Sequence, residues 1–366
     1  MKITKILITI IFSLVLFNSF GFSQYNNDEK ALIEACKKGD LETAKKLIRT
    51  GTDINTKDDK RVSALMYAVK SGNLDLVKEL VRFGADIGYY YGSSDDRGKR
   101  VNIDIAFFAI ENGNNDIIEY LLSKGANPND FLFFAIYKND INRVKEFIKA
   151  GADADYYLPY ASERGNVAIM QELIKAGAND FNNSLRRAIF EYIYQEIDNS
   201  EAIIELIKRN ADINMTLSVD ISETDNYSYY IQVPIFFYAI QTKNYNIVKA
   251  FLDKGVKLEG TNRDNQTVIM AAIITNNADI VREILKKDKS LLEDDIEDET
   301  VLTWAIKNHR GFRYNYNYSV DVKVIDALLE AGADYNAENS DGKNALMAAA
   351  SEGREDIIEL LEKYGA

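Results

Sequence analysis

The side chains that most often carry out catalysis are scarce in this sequence. It contains one histidine, His309, and one cysteine, Cys36, among 366 residues. A zinc site with two or three histidines is therefore impossible, and a Ser-His-Asp triad would need a serine that the fold brings to His309. Neither a G-x-S-x-G nucleophile elbow nor a glycine-rich phosphate-binding motif is present. We expect no enzymatic activity and no cofactor, with His309 in an exposed turn.

Two further groups raise the question of metal or thiol chemistry. Six acidic residues cluster in one short segment, at Glu293, Asp294, Asp295, Glu297, Asp298 and Glu299. The segment lacks the glycine and the alternating spacing of an EF-hand calcium loop, so a solvated charged finger is the interpretation we favour. Cys36 follows Ala35 near the end of a predicted helix, which favours a buried free thiol. We expect no metal site, and a single cysteine excludes an internal disulfide.

Tyrosine is the more informative residue type. Nine of the 22 tyrosines fall in three insertions, residues 87–105, 215–233 and 311–320, which is a clear enrichment outside the helices. These rings either pack on their own repeats to stabilise long loops, or form a surface for a partner, since tyrosine is enriched at interface hot spots. Two more tyrosines lie on a predicted helix face beside short loops. The candidate partner-binding residues are Tyr90, Tyr91, Tyr156, Tyr157, Tyr229, Tyr230, Tyr314, Tyr316 and Tyr318.

The charge of the chain limits its partners. The formal net charge is −13, which disfavours nucleic acid and anionic membrane surfaces, because both are bound through lysine and arginine. A protein partner with a basic patch is expected instead, and the chain itself is expected to be a monomer.

The first 23 residues differ from the rest. Lys2 and Lys5 precede a 12-residue apolar run from Ile6 to Phe17, and small residues stand at Gly21 and Ser23. This order is typical of a secretory signal peptide cleaved before Gln24, and the run is too short to span a bilayer comfortably. The alternative is an uncleaved anchor. We expect a secreted or periplasmic protein without a membrane span after cleavage.

The remaining chain repeats one pattern, seen most clearly from Ser63 to Asp86. Leu65, Ala68 and Val69 share one face of a first helix, and Gly72-Asn73 ends it. Asn73 can cap a second, amphipathic helix that Gly84 closes. Neither helix is long enough to be stable alone, so an adjacent copy must bury the apolar faces. The same 16-residue interval joins Ala35 to Gly51, Ala68 to Gly84, Ala109 to Gly125, Ala135 to Gly151, Ala161 to Gly177, Ala239 to Gly255 and Ala349 to Gly365.

This pattern resembles the ankyrin repeat. Regular copies have a period of 33 residues, Ser63–Ala68 and Thr300–Ala305 match the T-P-L-H-x-A pattern at Thr/Ser, Leu and Ala, and residues 332–336 read Gly-Ala-Asp-Tyr-Asn. No copy has the Pro or the His of that pattern. The resemblance implies that a histidine tie between neighbouring repeats is lost.

The resemblance implies an all-α solenoid, an ankyrin-type stack of about ten helix-turn-helix repeats with short β-hairpin fingers and no separate domain. It also implies a non-catalytic scaffold that binds a protein partner through the concave face of fingers and first helices and the tyrosine-rich insertions. A structural envelope protein without a dedicated partner and an enzyme or inhibitor with a pocket under the long loops are the alternatives. After the signal peptide (1–23), the array (24–366) divides into repeats at roughly 28–55, 56–88, 89–129, 130–154, 155–180, 181–214, 215–260, 261–293, 294–336 and 337–366.

Overall fold

The computed structural model describes residues 27–94, 100–220, 230–294, 296, 298–307, 309–310 and 317–366. The predicted signal peptide, residues 1–23, lies outside the described residues. The chain divides into two compact units, one ending at Ala154 and the other beginning at Asp155. The boundary between the two units falls at the start of the fifth helix pair.

The first unit is built from helix pairs and one long hairpin. In β1 and β2, which are antiparallel, Tyr91 lies opposite Ile103 and Ser94 opposite Arg100. Its elements are α1 (27–38), α2 (Leu41–Arg49), α3 (Ala64–Ser71), α4 (Leu74–Arg82), β1 (Tyr91–Ser94), β2 (Arg100–Ile103), α5 (Ile105–Asn112), α6 (Asn115–Ser123), α7 (Pro128–Tyr137) and α8 (Ile141–Lys149).

The second unit continues the same pattern after α9 (Ala154–Glu163), whose first residue still belongs to the first unit. Here β3 and β4 are also antiparallel, with Thr216 opposite Pro234 and Asp220 opposite Tyr230. Its other elements are α10 (Val167–Lys175), α11 (Phe181–Gln195), α12 (Ser200–Lys208), β3 (Thr216–Asp220), β4 (Tyr230–Pro234), α13 (Ile235–Gln241), α14 (Tyr245–Asp253), α15 (Val268–Ile274), α16 (Ala278–Lys287), the 3-10 helix η1 (Lys289–Glu293), α17 (Val301–Ile306), β5 (His309–Arg310), β6 (Asn317–Tyr318), α18 (Val322–Ala331), α19 (Ala345–Ser351) and α20 (Glu355–Tyr364).

Local sequence signals set the limits of the helices. The Asn73 side chain accepts a hydrogen bond from the Leu76 amide at 3.1 Å and so caps α4, as predicted. At the other end Gly84 has a φ of +94°, the left-handed conformation that glycine adopts without strain. Equivalent side-chain caps start other second helices, at Asp40, Asn114, Asp140, Asn166, Asn244 and Asn277.

Within each unit the helices form two layers. First helices pack on first helices, α3 on α5 and α5 on α7, while α2 packs on α4 and α4 on α6. The second unit repeats this arrangement from α11 to α19 in the first layer and from α10 to α20 in the second. The core lies between the layers, where Leu65, Ala68, Leu76 and Leu80 are buried, and their counterparts recur in each repeat. The predicted all-α repeat fold is confirmed.

Capping asparagines also tie neighbouring repeats together. Asn73 donates from Nδ2 to the Gly39 carbonyl at 2.9 Å, and Asn114 donates to the Gly72 carbonyl at 3.3 Å. In the second unit Asn199, at the N-cap position of α12 but without a capping hydrogen bond, donates to the Glu163 carbonyl at 3.3 Å and to the Ala188 carbonyl at 2.8 Å. One side chain thus satisfies backbone groups of two repeats, which supplies a link that the sequence, lacking the repeat histidine, did not predict.

Candidate protein-binding surfaces

The described part of the chain contains no arrangement that resembles a catalytic or metal site. Cys36 is fully buried, and burial raises the pKa of its thiol to about 12, so it stays protonated and unreactive at neutral pH. Among the described residues, no group of three or more His, Cys, Asp and Glu side chains could hold a metal ion. His309 lies in β5, opposite Tyr318. No helix in the described ranges is long and apolar enough to cross a bilayer.

Several tyrosines of the first unit pack against their own chain. The Tyr67 hydroxyl donates to Oδ2 of Asp58 at 2.6 Å, and burial, followed by this bond, raises the pKa of Tyr67 to about 12. Tyr89 donates to the Arg61 carbonyl at 3.0 Å, and the Lys57 ammonium lies 3.8 Å from its ring centroid. These contacts stabilise the loop before β1. They also reduce the area of both rings that a partner could contact.

Tyr90 and Tyr91, both predicted contact residues, have different environments. Tyr90 is 59% exposed, as a contact residue should be. Tyr91 is half-buried opposite Ile103, and burial raises the pKa of its hydroxyl. Tyr91 is the first residue of β1 and is held opposite Ile103 by strand pairing, whereas Tyr90 precedes the strand, so only Tyr90 stays open.

The two neighbouring tyrosines on α9 also differ in their exposure. Tyr156 is 72% exposed, whereas Tyr157, which we expected on the same accessible face, is 8% exposed. The two rings meet edge to face with centroids 5.0 Å apart. Consecutive helical residues point about 100° apart, so Tyr157 turns into the core and is corrected from a contact residue to a packing residue.

The remaining predicted tyrosines belong to the second unit. Tyr230 is 60% exposed at the open end of β4, opposite Asp220. Tyr318 lies in β6, and its backbone position is all that the structure describes. Tyr229, Tyr314 and Tyr316 lie outside the described residues.

A groove between two fingers of the second unit is lined by several acidic side chains. It has a volume of about 680 Å³ and is lined by η1, the acidic finger that follows it, and residues 331–340 after α18. The lining also includes apolar residues, among them Leu292, Val301 and Ala333. We define the acidic groove by its six carboxylates, Glu293, Asp294, Asp298, Glu299, Asp334 and Glu338.

The two walls of the acidic groove are joined by hydrogen bonds. The Ser340 amide donates to the Asp298 carbonyl at 3.0 Å, and Asn339 donates to Oε2 of Glu299 at 2.8 Å. Burial pushes the pKa of Glu299 up, but hydrogen bonds from Lys307 and Asn339 outweigh it and hold the value below the ordinary one. Glu299 is thus ionised at neutral pH, and the exposed carboxylates at the rim remain open to solvent. The groove is preformed and anionic, which suits a cationic side chain of a partner.

A second surface of this unit was missed by sequence reasoning. Arg186, Phe190, Tyr194 and Tyr238, here called the arginine–aromatic patch, lie on α11 and α13. Ring centroids are 5.2 Å apart for Phe190 and Tyr238 and 6.0 Å for Phe190 and Tyr194. The spacing Arg186, Phe190, Tyr194 at i, i+4, i+8 was the available signal, since it places all three on one face of a long helix.

Comparisons with known proteins agree with this architecture. A family model described as "Ankyrin repeats (3 copies)" matches residues 8–91, 32–131 and 236–317, and one described as "Ankyrin repeats (many copies)" matches residues 318–362. The solved human ASB11 ankyrin repeat domain is 18% identical, with a TM-score of 0.32 over 70% of this chain and 97% of that domain. No curated protein matches the chain. Because the family models together match more than half of the sequence, this chain belongs to the ankyrin-repeat family.

Proposed function

We propose that this chain is a non-catalytic protein-binding module that takes a basic segment of its partner into the acidic groove. Ankyrin repeats generally mediate protein–protein interactions, and the groove gives that general role a specific chemistry. The observation that carries the proposal is the concentration of six carboxylates, against one lining lysine, Lys289, around one cavity of about 680 Å³; one of the six, Glu299, is paired with Lys307. Such a cavity accommodates one or two lysine or arginine side chains, and the surrounding field speeds their approach.

The carboxylates of the groove differ in their exposure to solvent. Glu293, Asp298 and Glu338 are exposed, so they attract cations from solvent, while Asp294 and Glu299 are half-buried. The methylene groups of a long basic side chain can pack on the apolar lining residues while its charged group pairs with the carboxylates. Exposed Tyr90 and Tyr230 are the further contact residues in their respective units, and tyrosine provides contact area at low cost in conformational entropy.

The test uses a labelled 12-residue lysine-rich peptide and the full chain, with binding followed by fluorescence anisotropy. In one variant, Glu293→Lys and Glu338→Lys are combined. Its matched control combines Glu201→Lys and Glu359→Lys, which are exposed on the second helices α12 and α20 and change the net charge equally. We expect at least a tenfold loss of affinity for the groove variant, less than twofold for the control, and weaker binding at higher salt. Equal losses in both variants, or no binding, would reject the groove.

Export from the cytoplasm is part of the proposal. It is supported by Lys2 and Lys5, the apolar run from Ile6 to Phe17, and the small residues Gly21 and Ser23 before Gln24. Sequencing the N-terminus of the protein recovered outside the cytoplasm is expected to begin near Gln24. Cytoplasmic protein that retains Met1 would contradict this part without affecting the groove.

A further inference from the structure

The first helices of the second unit carry a surface whose charge is opposite to that of the whole chain. The helices α11 and α13 contain a single acidic residue, Glu191, and it is 8% exposed. Their two arginines are Arg186 and Arg187, and Arg187 forms an ion pair with the buried Glu163. Arg186 is bound only weakly by comparison, through a hydrogen bond of 2.7 Å to the neutral amide oxygen of Asn183. Within the part of the chain that the structure describes, Arg186 therefore has no ion pair like that of Arg187.

The aromatic part of the patch is open to solvent. Tyr194 is 64% exposed, and Phe190 and Tyr238 are half-buried between it and the core. The Arg186 guanidinium carbon lies 6.0 Å from the centroid of the Phe190 ring, so cation and aromatic surface are contiguous. Arg263, exposed after α14, is close enough to lower the pKa of Tyr238, against the larger effect of burial that raises it. A second cation thus borders the aromatic cluster.

The length of α11 makes this surface possible. It has 15 residues, whereas the neighbouring first helices α9 and α13 have 10 and 7. The additional turns carry Tyr194, and they also place Tyr192, whose hydroxyl accepts from Nδ2 of Asn244 at 3.1 Å, against the next repeat. One side of the extension is therefore anchored, and the other side presents the ring of Tyr194.

We propose that the arginine–aromatic patch is a second docking surface, and that it binds an acidic protein segment carrying an aromatic or aliphatic anchor. Charge complementarity selects this occupant, because the cations beside the aromatic rings are the half-buried Arg186 and the exposed Arg263, while the chain as a whole has a net charge of −13. Arginine and tyrosine are the residue types that dominate binding hot spots, and a guanidinium beside a ring pairs with a carboxylate while the ring packs on an apolar side chain. This surface is independent of the acidic groove.

The test uses the full chain and three labelled 12-residue peptides in fluorescence anisotropy. The first repeats Glu-Glu-Trp-Leu three times, the second replaces Trp and Leu by Gln and Ala, and the third replaces Glu by Lys. We expect the first peptide to bind at least tenfold more tightly than either of the others. The groove variant Glu293→Lys with Glu338→Lys is expected to leave this binding unchanged, which separates the two proposals.

Two substitutions in the patch and two matched controls complete the test. We expect Arg186→Glu and Tyr194→Ala each to weaken the first peptide at least tenfold. The controls are Arg209→Glu, directly after the second helix α12 with 46% of its side chain exposed, and Phe83→Ala in the first unit, where the side chain is 43% exposed; both are expected below twofold. Arg186→Gln replaces Arg186→Glu if circular dichroism shows that the reversal disturbs α11.

Three results would overturn the proposal. Equal binding of the acidic peptide without Trp and Leu would mean that the rings are not used. Equal losses in the patch variants and the controls would place the site elsewhere. Sedimentation showing a dimer that Arg186→Glu dissociates would identify a second copy of this chain as the occupant.

Discussion

The first-helix faces of the two units use aromatic side chains in opposite ways. In the first unit Tyr67 and Tyr89 each donate a hydrogen bond within their own chain, and a lysine lies over each ring. In the second unit Phe190, Tyr194 and Tyr238 pack on one another, and Tyr194 remains 64% exposed. An abundance of tyrosine therefore does not by itself indicate an interface. What distinguishes the two faces is whether the chain already supplies partners for the ring and the hydroxyl.

The faces also differ in their ionisable groups. Asp104, which caps α5 in the first unit, is 7% exposed, whereas Arg186 in the second unit reaches the surface. Burial, together with the charge of Asp130, raises the pKa of Asp104 to about 7, although hydrogen bonds from the Phe107 and Ala106 amides act against it. The first face thus holds an acid that resists ionisation, and the second presents a cation to solvent.

The largest expected effect tests the buried acid. Because the folded state raises the pKa of Asp104 above the ordinary 3.8, its contribution to stability is present below about pH 4 and is lost as the pH rises to about 7. Asn keeps an oxygen that can accept from the Ala106 and Phe107 amides. We expect Asp104→Asn to raise the free energy of unfolding at pH 8 by roughly 2–4 kcal/mol and to have little effect at pH 4, in urea titrations at both pH values.

The control for this prediction is Asp40→Asn at the cap of α2. Hydrogen bonds from the Thr43 side chain and amide lower the pKa of Asp40, so the ionised form is favoured in the folded state. We expect this substitution to lower stability at pH 8, which is the opposite sign. If Asp104→Asn gave the same change at pH 4 and pH 8, ionisation of Asp104 would not be its cause.

The next largest expected effect concerns the hydroxyl groups of Tyr67 and Tyr194. Tyr67→Phe removes a hydrogen bond of 2.6 Å to a carboxylate, so we expect a loss of about 1–2 kcal/mol in the free energy of unfolding. Tyr194→Phe removes an exposed hydroxyl, and we expect a change within about 0.3 kcal/mol. Combining Tyr67→Phe with Asp58→Asn is expected to cost less than the sum of the two single substitutions. Equal effects of the two phenylalanine variants would remove the distinction between the faces.

The smallest expected effect is on the stability of the open face. Tyr194→Ala removes a ring that is mostly in water, and we expect it to lower the free energy of unfolding by less than about 0.5 kcal/mol. Thermal unfolding followed by circular dichroism measures this directly. A loss of 2 kcal/mol or more would show that the ring supports the repeat. The aromatic side chains of both units would then serve stability.

The sequence was sufficient to identify the repeat, because its signals act over short distances. The interval from Ala68 to Gly84 contains a helix, a capped turn, a second helix and a left-handed glycine, and each depends on neighbours within a few residues. The acidic segment from Glu293 to Glu299 was also identified as a charged finger, but its pairing with residues 331–340 into a groove was not predicted. A turn is formed by interactions between residues that are neighbours in sequence, whereas the opposite wall of the groove is more than thirty residues away.

Tertiary packing decided which aromatic residues remain available. Tyr90 and Tyr91, or Tyr156 and Tyr157, are indistinguishable in composition and adjacent in sequence, and the direction of one side chain relative to the core separates each pair. The arginine–aromatic patch combines residues of α11 and α13 that are more than forty positions apart. Exposure and charge compensation depend on the repeat that packs alongside, and a sequence pattern read one repeat at a time does not contain that neighbour.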